Sequence, residues 1–451
     1  MKKKAYREMG SLVLLTAVIL VWAFAVTCGG GGDGGSSSTG STGTVNTSIS
    51  DPPTCKADFS NVWVTITRVR AHKSPNADSN DSGWVDLLDL RDKPQQIDLL
   101  SLDSDNCILT MLGSTSGIPA GQYQQIRLYL LSNSPASTEK TPLPNRCEGS
   151  GFNCVALSGG GTETLQLSSE AQTGIKIPSG QIAGGRFTVP AGQAMDLNLD
   201  FDACSSIVRQ GNGQFRLKPV LHAGEISLIT NAAISGRVIE NGNPNAPIEN
   251  AIVLIEQKDS ENIDRVIMQK LTDPDGKFIF CPLPSGAYDV VIGGKNSAAI
   301  YIPTITLGVG VGAAMGNISL LRAPELAANI NGQVTAQITS PGKEVDIDIS
   351  ALQNADASLR VTVPVLQGST PTTVTTVSGT ANYSLSVPVG NPQVGPFSSA
   401  GTSYIQVSGE YLINAQASNC TQSSLLTSPL TVSPGGNSSA QVIAFTGCSG
   451  N

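Results

Sequence analysis

Polar and apolar positions alternate along most of the chain. Val62, Val64 and Ile66 are interleaved with Trp63, Thr65 and Thr67, a period of two that predicts a strand with one buried face. Similar short runs recur at 125–130, 194–201 and 214–220, and again at 234–238, 251–255, 277–280 and 287–292. Between them stand turn signals such as Ile118-Pro119-Ala120-Gly121-Gln122-Tyr123, Asp275-Gly276 and Ser285-Gly286, whose glycines supply positive φ. Strands separated by Gly and Pro turns, with no long helical period, predict an all-β fold of tandem β-sandwich modules over 51–228, 232–322 and 327–451. The third module is the least sharply patterned. Ile330-Asn331-Gly332-Gln333-Val334 echoes Ile234-Ser235-Gly236-Arg237-Val238, the run 381–388 echoes the strand after Asp275-Gly276, and Tyr411-Leu412-Ile413-Asn414-Ala415 echoes Tyr288-Asp289-Val290-Val291. A diverged repeat and chance likeness among Gly- and Thr-rich strands both account for those echoes.

The first residues break the alternation. Lys2, Lys3, Lys4 and Arg7 precede an apolar run from Met9 to Val26, and small residues follow. Basic start, apolar middle and small exit residues are the parts of an export signal, here 1–27. A retained membrane helix, which takes about 20 residues, is the alternative. Cys28, at the end of the run, resembles the lipobox cysteine of bacterial lipoproteins, which becomes the acylated first residue after cleavage. That pattern prefers Leu three residues earlier and Gly, Ala or Ser just before, where this chain has Ala25 and Thr27. The resemblance implies a lipid bilayer as partner through acylated Cys28. With Gly29 next, it implies the outer membrane of a bacterial cell envelope. Residues 28–50 are rich in Gly, Ser and Thr and predict a flexible tether that reaches about 25 Å and builds no core.

Charge removes one class of partner. The chain carries a formal −8, and loss of the leader's net +3 leaves about −11, without the basic face that nucleic-acid binding needs. Apart from Cys28 there are eight cysteines, an even set at long spacings that suits disulfides in an oxidising compartment. No pair has the C-x-x-C spacing of a zinc or redox site. Cys147 with Cys154, closing a polar loop, and Cys420 with Cys448, in the last segment, are the economical pairs. Cys281 reads equally well as a disulfide partner or a buried free thiol.

Six stretches of the first module carry a resemblance: VWVTITRVRAH at 62–72, GWVDLLDL at 83–90, IDLLSL at 97–102, IPAGQYQQIRLYL at 118–130, LDFDACSSIV at 199–208 and FRLKPVL at 215–221. In this order they look like the bacterial lipoprotein family called domain of unknown function 4382. That family has no assigned activity, so the resemblance implies export and boundaries and gives no mechanism. The order of strands and turns in the second module is similar to the carboxypeptidase regulatory-like domain, a prealbumin-like sandwich grouped with carbohydrate-binding-like folds. This likeness implies fold far more than function.

Candidate chemistry is sparse. His72 and His222 are the chain's two histidines, and neither stands in a metal-ligand spacing, which favours structural roles. Gly308-Val309-Gly310-Val311-Gly312 lacks the Lys and Ser/Thr of a phosphate loop. Asp78, Asn80, Ser82 and Asp89, with Gly83, come near the spacing of a calcium loop. However, the segment follows a strand, and 84–88 reads as the return strand of a hairpin that carries Asp89 away. Asp196, Asp200 and Asp202 share one strand face. Paired carboxylates do glycosidase chemistry, whereas opposite Met195, Leu197, Leu199 and Phe201 these acids read as a solvent-facing side. Trp84, beside the acidic hairpin, is the candidate for stacking a ligand, and Trp63 reads as a core residue.

The expectation is therefore a protein that is not an enzyme and needs no cofactor. It would be a non-catalytic binding or scaffold lipoprotein presenting loops to a glycan or an envelope protein, with carbohydrate binding as the specific form. A structural spacer without a small ligand is the alternative, and a hydrolase is the least favoured reading.

Overall fold

Alternation becomes strand from the start of the described chain. The computed structural model describes residues 41–448 apart from 52–58, 103–108, 168–170, 228–231, 260, 310, 323–326, 340–344, 369, 378, 398–402 and 418–419. Its first strand, Thr42–Ser50, lies inside the stretch expected to be tether. Val45 and Ile49 are fully buried there, because residues four apart on a strand share a face. The coreless linker over 28–50 is thus corrected for its last nine residues, where a period-two pattern was hidden by the Thr and Ser around it. Thr42–Ser50 pairs parallel with Ala194–Phe201 and antiparallel with Thr110–Pro119, and Leu221–Ile226 completes a four-stranded sheet. A second sheet is built round Phe59–His72, flanked by Gln125–Leu130, Cys154–Leu157 and the strands Val85–Asp89 and Gln95–Asp98. Val62, Val64 and Ile66 from this sheet share one core with Leu197, Leu199 and Phe201 from the other.

The acid-bearing face of Ala194–Phe201 is a second correction. Asn198, Asp200 and Asp202 are buried, not solvent-facing. In register with the parallel neighbour, Asn46 Nδ2 donates to Asp196 Oδ1 (2.8 Å), Ser48 Oγ to Asn198 Oδ1 (3.0 Å) and Ser50 Oγ to Asp200 Oδ1 (2.6 Å). Polar groups are tolerated inside a fold when they are hydrogen-bonded. The donors here come from the very strand that composition had assigned to the tether.

The second segment opens with Ala232–Glu240, which pairs antiparallel with Lys277–Leu283 and parallel with Ala313–Leu320. The third opens with Ala328–Ile338, which pairs antiparallel with Thr380–Val387 and parallel with Ile443–Cys448. Gly236 lies opposite Phe278 in the first set and Gly332 opposite Tyr383 in the second. A Cβ on either glycine would run into the facing ring. The sequence echoes therefore coincide with a shared strand arrangement. They also coincide with a shared tyrosine contact: Tyr288 Oη donates to Pro284 O (2.9 Å) and Tyr411 Oη to Pro388 O (2.6 Å). Of the two expected turn glycines in the second segment, Gly276 has φ +75° and packs against the Val238 carbonyl, whereas Gly286 has no left-handed φ.

The second and third segments share an eleven-stranded sheet. Ile252–Lys258, Ile263–Leu271, Gly286–Gly293 and Ile300–Leu307 continue into Arg360–Thr362, Val345–Asn354 and Tyr411–Gln416 through the parallel pair Asp264↔Val361. One core holds Val253, Ile255, Phe280 and Tyr288. Another joins Leu254, Val291 and Tyr301 to Leu359 and Val361 of the third segment. The disulfides Cys147–Cys154 and Cys420–Cys448 are formed as expected. Cys281 is disulfide-bonded as well, which decides against a free thiol.

Candidate ligand groove

The first segment carries a groove of about 490 Å³ whose lining includes Trp63, Pro94, Gln96, Pro142, Leu143 and Arg146. Trp63 is there because of strand phase. Val62 and Val64 on either side are fully buried, so the period of two turns the indole to the other face, where it is only partly buried. Its backbone is fixed on both sides, opposite Asp98 and opposite Cys154.

The facing wall is a loop that the sequence builds with amide side chains. Asn133 Oδ1 accepts from Phe152 N (2.9 Å) and Asn153 N (2.8 Å), and Asn133 Nδ2 donates to Leu165 O (2.8 Å). Gln96 ties this loop to the strand beside Trp63. Its Nε2 donates to Asn145 Oδ1 (3.0 Å) and Phe152 O (3.1 Å), and its Oε1 accepts from Arg146 N (2.7 Å). The Cys147–Cys154 disulfide anchors the same loop to the strand paired with Trp63. Leu143 is left 92% exposed at its tip. Lys93, Lys140 and Arg146 face a single carboxylate, Asp92, around the groove, a cationic patch on an acidic chain. A partly open indole with rigid proline edges suits stacking of a sugar ring. The cations suit an acidic substituent on that ring. The lining holds one carboxylate, Asp92, and one side-chain hydroxyl, Thr141, beside the three cations.

Trp84 does not offer the open stacking face expected of it. It is buried, with the guanidinium groups of Arg70 and Arg127 at 5.3 and 5.5 Å from its ring and the His72 ring at 5.2 Å. Its Nε1 donates to Asp78 O (2.7 Å). The exposure of the two tryptophans is the reverse of that expected from sequence, with Trp63 partly open and Trp84 buried. The signal that separates them was present: Trp63 falls in phase with Thr65 and Thr67, not with the buried valines.

The calcium-loop candidates Asp78, Asn80, Ser82 and Asp89 fall in the hairpin between Phe59–His72 and Val85–Asp89. Asp78, Asn80 and Ser82 lie at its tip, in which Asp78 N donates to Asp81 Oδ2 (2.9 Å) and Ser82 O meets His72 Nε2 (3.0 Å). Asp89, at the end of Val85–Asp89, accepts from Arg91 at 2.8 and 2.5 Å, and this pairing lowers its pKa to about 2. Among the described residues no group of three or more His, Cys, Asp or Glu side chains is placed to hold a metal ion. His222 is buried opposite Asp200, and burial depresses its pKa. Cys28 and the apolar run before it lie outside the described residues, among which no helix is long and apolar enough to cross a membrane.

Comparison with known proteins bears on the segment that carries the groove. Residues 42–219 match the family described as Domain of unknown function (DUF4382). The match begins at Thr42, where the first strand begins. No curated protein matches the chain. Among solved structures, the Bacillus anthracis TIE protein is 11% identical with a TM-score of 0.18 over 90% of this chain and 50% of its own, so this chain spans about half of that protein's length. The Streptococcal ancillary pilin is 9% identical with a TM-score of 0.18, covering 90% of this chain and 99% of its own. The minor pilin GBS52 from Streptococcus agalactiae is 12% identical with a TM-score of 0.16, covering 48% of this chain and 96% of its own.

Proposed function

We propose that this is an exported, lipid-anchored binding protein of the bacterial outer membrane, without catalytic activity, whose Trp63 groove takes an acidic polysaccharide. The single observation that carries the reading is the pairing of a partly open indole with three cations in one braced groove. The leader and Cys28 support the anchor, and the DUF4382 match supports the setting. The second segment, read as a carboxypeptidase regulatory-like sandwich, and the third then serve as a scaffold that follows the groove-bearing segment, which itself joins the anchor's tether. The continuous eleven-stranded sheet favours one further reading, a pure spacer with no ligand. Affinity electrophoresis separates the two. Gels containing polygalacturonate should retard the protein while gels containing dextran do not, and Trp63→Ala should remove the retardation. Equal mobility in all gels would leave the spacer. For the anchor, Cys28→Ser should abolish incorporation of labelled palmitate, and unchanged labelling would contradict it.

A further inference from the structure

We propose that Lys176 and Asp346 condense to an amide that covalently joins the first segment to the third, with Asp348 carrying the proton. Lys176 lies on the short strand Ile175–Ile177, and Asp346 and Asp348 lie on Val345–Asn354. The Lys176 ammonium rests directly against Asp346 Oδ2, with the two side chains 19% and 8% exposed. Asp346 and Asp348 are two apart on one strand and so share a face. Both are held by a neighbouring strand in register. Thr375 Oγ1 donates to Asp346 Oδ1 (2.5 Å) and Thr373 Oγ1 to Asp348 Oδ1 (2.6 Å).

The third contact comes from the first segment. Gly180 N donates to Asp348 Oδ2 (3.0 Å), and a Cβ on Gly180 would overlap that carboxylate, so only glycine permits the approach. The result is an amine pressed on one carboxyl group with a second beside it, all three fixed before any reaction. Holding reactants in this way replaces an encounter in solution. Burial raises the Asp348 pKa, toward the form that can hand on a proton. The Lys176 ammonium passes one proton to the Asp346 carboxylate, Nζ attacks Asp346 Cγ, and a C–N bond forms. Asp348 protonates the departing hydroxyl, the C–O bond breaks, water leaves into the cleft of about 590 Å³ that Asp346, Asp348 and Gly180 help to line, and a second Nζ proton returns to Asp348. Ammonium plus carboxylate becomes amide plus water, with no oxidant or reductant. The product also removes two opposed charges whose desolvation disfavours the ion pair.

Trypsin digestion of the reduced, alkylated full-length protein tests this. The expected species joins 147–186, uncut after Lys176, to 344–360, at the sum of their masses less one water. Lys176→Arg keeps the positive charge and should yield 344–360 only as a free peptide. Asp348→Ala should reduce the linked species at least tenfold relative to free 344–360. If the wild-type protein is cut after Lys176 and releases 344–360 unlinked, the contact is an ion pair and the proposal fails. If Asp348→Ala links as fully as wild type, the role given to Asp348 fails.

Discussion

Raising the pH should loosen the seam between the second and third segments, and Asp264→Asn should remove most of that response. Asp264 is fully buried, and its Oδ2 accepts from Tyr301 Oη (3.2 Å). Asp289 beside it accepts from Thr304 N (2.5 Å), and Glu256 on the paired strand accepts from Thr362 N of the third segment (3.2 Å). The nearby cations, Lys258 and Arg265, give little relief, since Arg265 is engaged by Asp259 and Asn414, both at 2.7 Å. Burial first, and then the neighbouring Asp289, raise the Asp264 pKa from 3.8 to about 8, and burial moves Glu256 the same way. Between those two values the folded protein holds a proton that the unfolded chain has lost. The stability contributed is therefore complete below about pH 4 and is lost as pH rises through about 8. At roughly 1.4 kcal/mol per unit, the four-unit window bounds the loss at about 5–6 kcal/mol, and water entering the seam brings it lower.

The assay is urea unfolding at pH 5 and pH 8.5 for wild type and Asp264→Asn. Buried neutral His222 acts with the opposite sign, losing stability as pH falls below about 6.5, so the difference between the two proteins isolates Asp264. Wild type should be clearly less stable at pH 8.5, and the variant's midpoint should change much less. A variant with the full wild-type pH response would refute the reasoning.

The remaining predictions concern packing. Trp84→Ala should destabilise the first segment by about 3–5 kcal/mol in thermal melts, since it empties a buried indole site, yet leave polysaccharide retardation unchanged at temperatures where the protein is folded. Gly276→Ala should cost at least about 1–2 kcal/mol because of its left-handed φ, whereas Gly286→Ala, with no atom closer than 3.6 Å to its new Cβ, should melt near wild type. Equal effects at the two glycines would contradict the turn geometry. Cys147→Ser should loosen the loop facing Trp63, visible as faster hydrogen exchange over 140–153, with exchange in Ala194–Phe201 unchanged.

The strand pattern and the two disulfides were legible because each is local: alternation declares a strand, and Cys147 and Cys154 close a short polar loop. What escaped was non-local. Thr42–Ser50 contains only Val45 and Ile49 as apolar signals, and its place in a sheet depends on partners about 150 residues away. Missing that strand led directly to the misplaced acids, since Asp200 is buried between it and the strand Leu221–Ile226 and accepts from Ser50. The seam at Asp264↔Val361 left no trace either, because a parallel pair between segments imposes no turn sequence. Trp63 was misjudged for a different reason. Its residue type was given more weight than its phase, although Thr65 and Thr67 stand in the same alternation.

Fluorescence titration with polygalacturonate tests the central claim most directly. Trp63 and Trp84 are the only tryptophans outside the leader, and Trp84 is buried, so a change on binding reports the groove. The account predicts a saturable change that weakens as salt is added. It should be lost in the combined Lys140→Ala and Arg146→Ala variant, and the polymer should be recovered uncut. A flat titration, a response that survives loss of both cations, or shortened polymer would contradict the account.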